Sequence, residues 1–331
     1  MLQLLPFSAD WTQNTQKHLC RAFFCVMIAS FKRSEMIPLK KSLGPIYALS
    51  AGILWGSMGV FVRHFQAVGL DSLEIGWFRA LFGLLVVGLY LGLCHRDLLK
   101  VRLRDLPLFI GTGVGSLFLL SLTYYTAMQY VSLAVAGVLL YTSPIFVMLF
   151  SAVLFRETIT PRKLLSLALA FLGCALVSGL GTDARISTPG ILWGLGAALS
   201  YSMYSVIGRY ILRRGYGSWT MIFYSFLFCF LADCFLCDWQ SVGPVFVQPV
   251  ELLWAAGLGV VTAFFPYVFY SKALERMEGS RASILASIEP VVAALFSVFL
   301  FQEPLNAGGI AGIVLVLAAV VLLSVQGEKS A

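Results

Sequence analysis

The feature that most constrains this chain is that it repeats itself at one fixed offset. A shift of 146 residues lays Leu149-Phe150-Ser151 on Leu295-Phe296-Ser297 without a gap. The same shift lays Leu154-Phe155-Arg156-Glu157 on Leu300-Phe301-Gln302-Glu303. It also carries Ala51 onto Ala197, Arg63 onto Arg209, Ala127 onto Ala273, Pro144 onto Pro290 and Ser178 onto Ser324. A constant shift across several hydrophobic segments reads as the duplication of a half-protein.

The repeated unit is a membrane unit. Hydrophobic residues make up 59% of the 331 residues and charged residues 12%, and the mean hydropathy is +0.88. Average soluble domains carry roughly 25% charge. The apolar residues fall in stretches of about 20, long enough to cross about 30 Å of hydrocarbon as helices. Ten segments are expected, at about 44–62, 73–94, 107–127, 132–155, 163–181, 189–210, 218–237, 252–271, 281–301 and 305–325. None shows the period-2 alternation of a membrane β-barrel. Short connections leave no room for a separate soluble domain.

The net charge of +7 does not indicate nucleic acid once the charges are placed. Lys and Arg collect before residue 44, between segments 2 and 3 (Arg96, Lys100, Arg102, Arg104), and after segment 4 (Arg156, Arg162, Lys163). They collect again after segment 6 (Arg209, Arg213, Arg214) and segment 8 (Lys272, Arg276, Arg281). With Lys329, this places 20 of the 23 on one side, against Arg63 and Arg185 on the other and Arg79 within a segment. The positive-inside rule then puts both termini in the cytoplasm.

Residues 1–43 form an N-terminal extension, read as dispensable and cytoplasmic, with Met36 as an alternative start. Its short apolar run, Ala22 to Phe31, is too short to span and leaves an interfacial helix as the other reading. The repeats occupy 44–181 and 189–325, and 326–331 is a cytoplasmic tail. Each unit has an odd number of segments, so the second enters the membrane upside down. The charges agree independently. Arg96, Lys100, Arg102 and Arg104 shift onto Val242, Phe246, Gln248 and Val250, while the Lys- and Arg-free loop 129–134 shifts onto 275–280, which contains Arg276. An apolar pattern that is kept while charge changes sides is the mark of an inverted repeat.

Two charges lie inside segments. Arg79 shifts onto Ser225 and Glu289 shifts onto Ser143, so each belongs to one half only. Burying either against lipid is costly, so each should face the bundle interior or water. Glu289 is a candidate for a proton or a cationic group and Arg79 for an anionic one; the alternative is that each bonds to neighbouring hydroxyls and fixes its helix. Pro144 and Pro290 sit mid-segment and should kink their helices. Polar and aromatic residues gather at the same depth: Tyr141, Thr142 and Ser143; Ser200, Tyr201 and Tyr204; Ser287. Trp55 shifts onto Tyr201 and Tyr124 onto Tyr270. A few polar groups among aromatic walls describe a small-molecule pocket, although interhelical hydrogen bonding explains any one of them. Glu157 and Glu303 end segments 4 and 9 at opposite faces, as helix-end partners or as gates.

The seven cysteines, Cys234 and Cys237 included, read as ordinary membrane-helix residues. The three histidines, His18, His64 and His95, are placed outside the spans. No P-loop, no H-E-x-x-H and no inward His/Asp/Cys cluster stands in the chain, so neither a cofactor nor a metal is expected.

The chain resembles the EamA-type drug/metabolite transporters. The residues that carry the likeness are Leu54-Trp55-Gly56-Ser57, Trp77-Phe78-Arg79-Ala80 and the paired blocks Pro144 to Glu157 and Glu289-Pro290 to Glu303. The resemblance covers about 44–325. It implies an all-α integral membrane protein of the plasma (bacterial inner) membrane, with ten transmembrane helices in two inverted five-helix repeats. It also implies a central cavity formed by the first four helices of each half. Family members export amino acids, metabolites or toxic compounds. The expected function is therefore a secondary active transporter of small organic solutes, an exporter working by alternating access and coupled to protons through Glu289, as a monomer or homodimer. The alternative is a membrane-embedded enzyme acting on lipid-linked substrates, for which no acid/base or metal set is found.

Overall fold

The helices follow from the solvent. In hydrocarbon every backbone N–H and C=O must be satisfied inside the chain, and apolar runs of this length without strand periodicity do so as helices. A computed structural model describes residues 43–179 and 186–324. The N-terminal extension, with its apolar run Ala22–Phe31 and the alternative start at Met36, together with Arg185 and the tail 326–331, lies outside the described residues. Among the described residues there is no strand.

Among the described residues, eight helices are long and apolar enough to cross a membrane: α1 (Gly44–Ala67), α2 (Ser72–Cys94), α3 (Leu103–Tyr130), α4 (Leu133–Phe155), α6 (Thr188–Arg213), α8 (Pro249–Arg276), α9 (Gly279–Phe301) and α10 (Ala307–Ser324). The apolar helix α7 (Ser218–Asp233) has 16 residues and α5 (Pro161–Val177) has 17. The fifth and seventh expected segments are thus shorter helices than drawn from the sequence. The seventh, drawn to 237, ends at Asp233, after which the backbone turns through Cys234 and Cys237 into the short helix Trp239–Val247. Conversely, the first helix runs on to Ala67, so His64, placed outside the spans by its sequence, lies on α1 and pairs with Glu251 of α8 at 2.7 Å.

The 146-residue offset reappears in the backbone. α4 is interrupted between Leu140 and Ser143, and α9 between Ala286 and Glu289. α3 contains a π-helical stretch at Gly113–Phe118 and α8 one at Gly259–Phe264. α4 and α9 end on left-handed residues at matched positions, Arg156 (φ 56°) and Gln302 (φ 57°). The expected mid-segment kinks are therefore full interruptions. Pro144 and Pro290 lie in the first turn of the second part of each helix, where a missing N–H costs little.

Contacts between the halves come in exchanged pairs. α1 packs on α8 as α6 packs on α3. α2 packs on the π stretch of α8 as α7 packs on that of α3, and α1 contacts both parts of α9 as α6 contacts both parts of α4. The last helices of the two halves, α5 and α10, also lie against each other. Between them Gly173 meets Gly312 and Val316, while Gly312 meets Gly173 and Val177. A rising number on one helix thus faces a falling number on the other, so the two run antiparallel. One difference breaks the symmetry: α1 is interrupted at Ser57, whose hydroxyl donates to the Leu54 carbonyl at 2.7 Å, while α6 is continuous.

Candidate functional site

The two interruptions and the middle of α6 surround one cavity. It is small, about 20 Å³, and is lined by Tyr141, Ser143, Pro144 and Val147 of the α4 break, Tyr201, Ser202 and Ser205 of α6, Tyr270 of α8, and Ser283, Ala286, Ser287 and Glu289 of the α9 break. An α-helix presents only side chains to its surroundings, because its backbone groups bond internally. The breaks bring two helix starts to the cavity instead, with Ser143 and Glu289 at matched positions on them.

Most hydroxyls in the wall are occupied. Ser202 donates to the Leu199 carbonyl at 2.7 Å, Ser283 to Ser280 at 3.1 Å and Ser287 to Ser283 at 3.2 Å. Ser205 and the Tyr270 phenol are hydrogen-bonded at 2.7 Å. The Glu289 carboxylate, the phenols of Tyr141 and Tyr201 and the Ser143 hydroxyl have no hydrogen bond or ion pair among the described residues. One carboxylate, two phenols and a hydroxyl thus line the cavity without a hydrogen-bonding partner among the described residues.

A cluster of rings backs this wall. Trp55 lies 6.0 Å from Tyr201, 5.3 Å from Tyr270 and 5.3 Å from Tyr267, centroid to centroid. Its buried indole N–H has no partner among the described residues. Tyr204 is buried against Tyr267 at 4.9 Å and bonds Ser271 at 3.0 Å. α1 seats the α9 break through Gly52 and Gly56: a Cβ at either would stand 2.6 to 2.7 Å from the Ala286 and Glu289 carbonyl oxygens respectively. Larger residues there would push the break out of place.

The other residues singled out from the sequence lie elsewhere. Tyr124 sits behind the wall, its hydroxyl close to the backbone at Gly137. Thr142 returns its hydroxyl to the Leu139 carbonyl at 2.6 Å, and Ser200 is buried within α6. Arg79 does not line the cavity. It donates to the Thr262 carbonyl from Nε at 3.3 Å and Nη2 at 3.2 Å, and lies over the Tyr267 ring at 5.6 Å. The reason is local: Pro266 supplies no N–H to the carbonyl four residues before it, and Arg79 supplies donors from α2. The counterpart of Pro266 is Leu120 and that of Arg79 is Ser225, so of the two exchanged contacts only that between α2 and α8 carries both the arginine and the proline. Glu157 and Glu303 stand outside the cavity, at the ends of α4 and α9, each bonded to an arginine of the other half.

Val147 and Ser283 on the cavity wall and Tyr267 behind it are not among the residues that the sequence singles out. Ser283 had a signal, its four-residue spacing from Ser287, which puts both on one helix face. Among the described residues no group of three or more His, Cys, Asp or Glu is arranged to hold a metal ion.

The EamA-like transporter family matches the chain twice, at residues 42–179 and 188–325. An uncharacterized transporter of Archaeoglobus fulgidus is 34% identical over 272 residues, 82% of this chain and 93% of that one. The uncharacterized inner membrane transporter YicL of Salmonella typhimurium is 27% identical, covering 87% of this chain and 97% of its own length. The pseudopaline exporter CntI of Pseudomonas aeruginosa is also 27% identical, covering 87% and 98%. A crystal structure superposes with a TM-score of 0.69 over 86% of this chain and 96% of that one at 19% identity, a likeness of fold.

Proposed function

The chain belongs to the EamA-like transporter family, and from that premise we propose that it is a secondary carrier exporting small organic solutes by alternating access around the cavity at Glu289. The single observation that carries this reading is the unpaired Glu289 carboxylate, set at a helix break beside the free phenols of Tyr141 and Tyr201. Such a set suits a solute with one protonated nitrogen and further hydrogen-bonding groups. Without solute, the same carboxylate is the group to take up a proton and couple transport to a proton gradient.

The repeats fit this mechanism as two inverted units of five spans, 44–181 and 189–325, with α5 and α7 completing ten. The antiparallel packing of α5 on α10 and the exchanged contacts between halves support the inversion. A two-fold axis in the membrane plane then relates the halves, and rocking one against the other exposes the midplane site to either face. Lys and Arg placement puts both termini in the cytoplasm of a plasma (bacterial inner) membrane. Comparing metabolites exported by cells with and without the protein identifies the solute. In proteoliposomes loaded with it, an imposed pH gradient should drive transport by the parent but not by Glu289→Gln. An equal response in both would remove Glu289 from coupling.

A further inference from the structure

Among the ion pairs that join the halves, the 146-residue shift exchanges two for one another. Arg209 reaches Glu157 at 2.5 Å and Arg63 reaches Glu303 at 2.7 Å. Their surroundings differ. Glu157 is buried and also accepts from the Gly279 amide at 3.0 Å, the Ser280 amide at 3.3 Å and the Ser280 hydroxyl at 2.5 Å. A carboxylate of one half therefore caps the first turn of α9 in the other, taking up amides that a helix start leaves orphaned. Glu303 is half exposed; it meets Arg63 and the Ser297 hydroxyl at 2.7 Å. The counterparts of Gly279 and Ser280 are Leu133 and Ala134. They begin α4, and their amides have no partner among the described residues. Beside Glu157, Lys163 and Glu278 form a second pair across the halves at 2.7 Å. Their counterparts, Gly309 and Ser132, can form none.

We propose that Glu157 and Glu303 are alternating latches. In the conformation described here Glu157 holds the first turn of α9 and shuts its end of the molecule. In the opposite conformation Glu157 releases that turn, and Glu303 leaves Ser297 to cap α4 at the amides of Leu133 and Ala134. The inference rests on alternating access as proposed above. It adds a direction: Ala134 offers no hydroxyl where Ser280 offers one, and nothing replaces the Lys163–Glu278 pair. The two latches are unequal, and the resting carrier is held shut at the Glu157 end.

The test uses the full chain with Ser283→Cys, a position on the cavity wall, in oriented membrane vesicles. A membrane-impermeant maleimide is added to one face or the other, and labelling is read at residue 283 by mass spectrometry. Ser280→Ala weakens the Glu157 latch and Ala134→Ser supplies the hydroxyl missing from the other. Each should move the ratio of labelling rates about tenfold toward entry from the Glu157 end, the size of one hydrogen bond to a charged group. Glu303→Gln should move it the opposite way, which separates a latch from general loosening. Label that enters from both faces in a ratio indifferent to all three substitutions overturns the latches and leaves alternating access standing. Label that enters from one face alone in the parent and every variant overturns alternating access itself, and the latches with it.

Discussion

Gly173 and Gly312 pack backbone against backbone: a Cβ on Gly173 would stand 2.7 Å from the Gly312 carbonyl oxygen, and one on Gly312 would stand 2.6 Å from that of Gly173. Lipid tails are as apolar as leucine, so helices in a bilayer gain by close packing rather than by leaving water, and small residues permit it. Gly173→Ala and Gly312→Ala should each cost about 1–3 kcal/mol by overpacking. Because they share one contact, the double variant should lose less than the sum. Thermal unfolding in detergent measures all three, and single variants as stable as the parent would refute the contact.

Arg79 stands in for a backbone donor. Arg79→Ala leaves the Thr262 carbonyl without the two donations from Arg79 and should cost about 1–3 kcal/mol, the usual range for an orphaned buried polar group. The distinguishing prediction is a cycle with Pro266. Pro266→Leu restores an N–H at that position, as Leu120 has in the other half, so Arg79→Ala should cost much less in that background. Equal losses in both backgrounds would mean that Arg79 works through something other than this carbonyl.

What the residues disclose in advance depends on how local the cause is. Segment lengths and the repeat offset are properties of contiguous runs, so the helices of α1 to α4 and α8 to α10 are legible with ends wrong by a few residues. Cavity residues are legible where polarity is conspicuous, as at Tyr141, Ser143, Tyr201 and Glu289. Val147 looks like a packing residue in the sequence, and only the tertiary packing places it on the cavity wall. The employment of Arg79 is invisible around residue 79, because it is set by a proline 187 positions later. The π stretches coincide with close packing of α2 on Gly259 and of α7 on Gly113, a tertiary contact that no window of sequence contains.

The left-handed ends of α4 and α9 carry side chains that disfavour that backbone. Arg156 and Gln302 hold φ values of 56° and 57°, a conformation that costs a non-glycine residue about 1–2 kcal/mol. Glycine is the usual residue there. Arg156→Gly and Gln302→Gly should therefore be neutral or raise stability by up to about 1 kcal/mol, since glycine's greater freedom in the unfolded chain offsets part of the relief. A fall in unfolding temperature for both would show that the side chains outweigh the backbone.

Glu303 gives the Arg63 pair a dependence on acid whose sign is determined. The hydrogen bond from Arg63, and then that from Ser297, hold its carboxyl below the ordinary value of 4.5. A carboxyl lowered in the folded state binds its proton more weakly there than in the unfolded chain. Its stabilisation is accordingly complete above the ordinary value and is lost as pH falls through the lowered one. The two side chains are 44% and 49% exposed, so the contribution is modest and salt screens it. Unfolding temperatures of the parent and Glu303→Gln, measured from about pH 6 down to about pH 3, should differ most at the upper end in dilute buffer and converge toward the lower. Convergence should already be present at pH 6 in about 1 M salt. A difference that widened on acidification would reverse the sign and exclude the pair as its source.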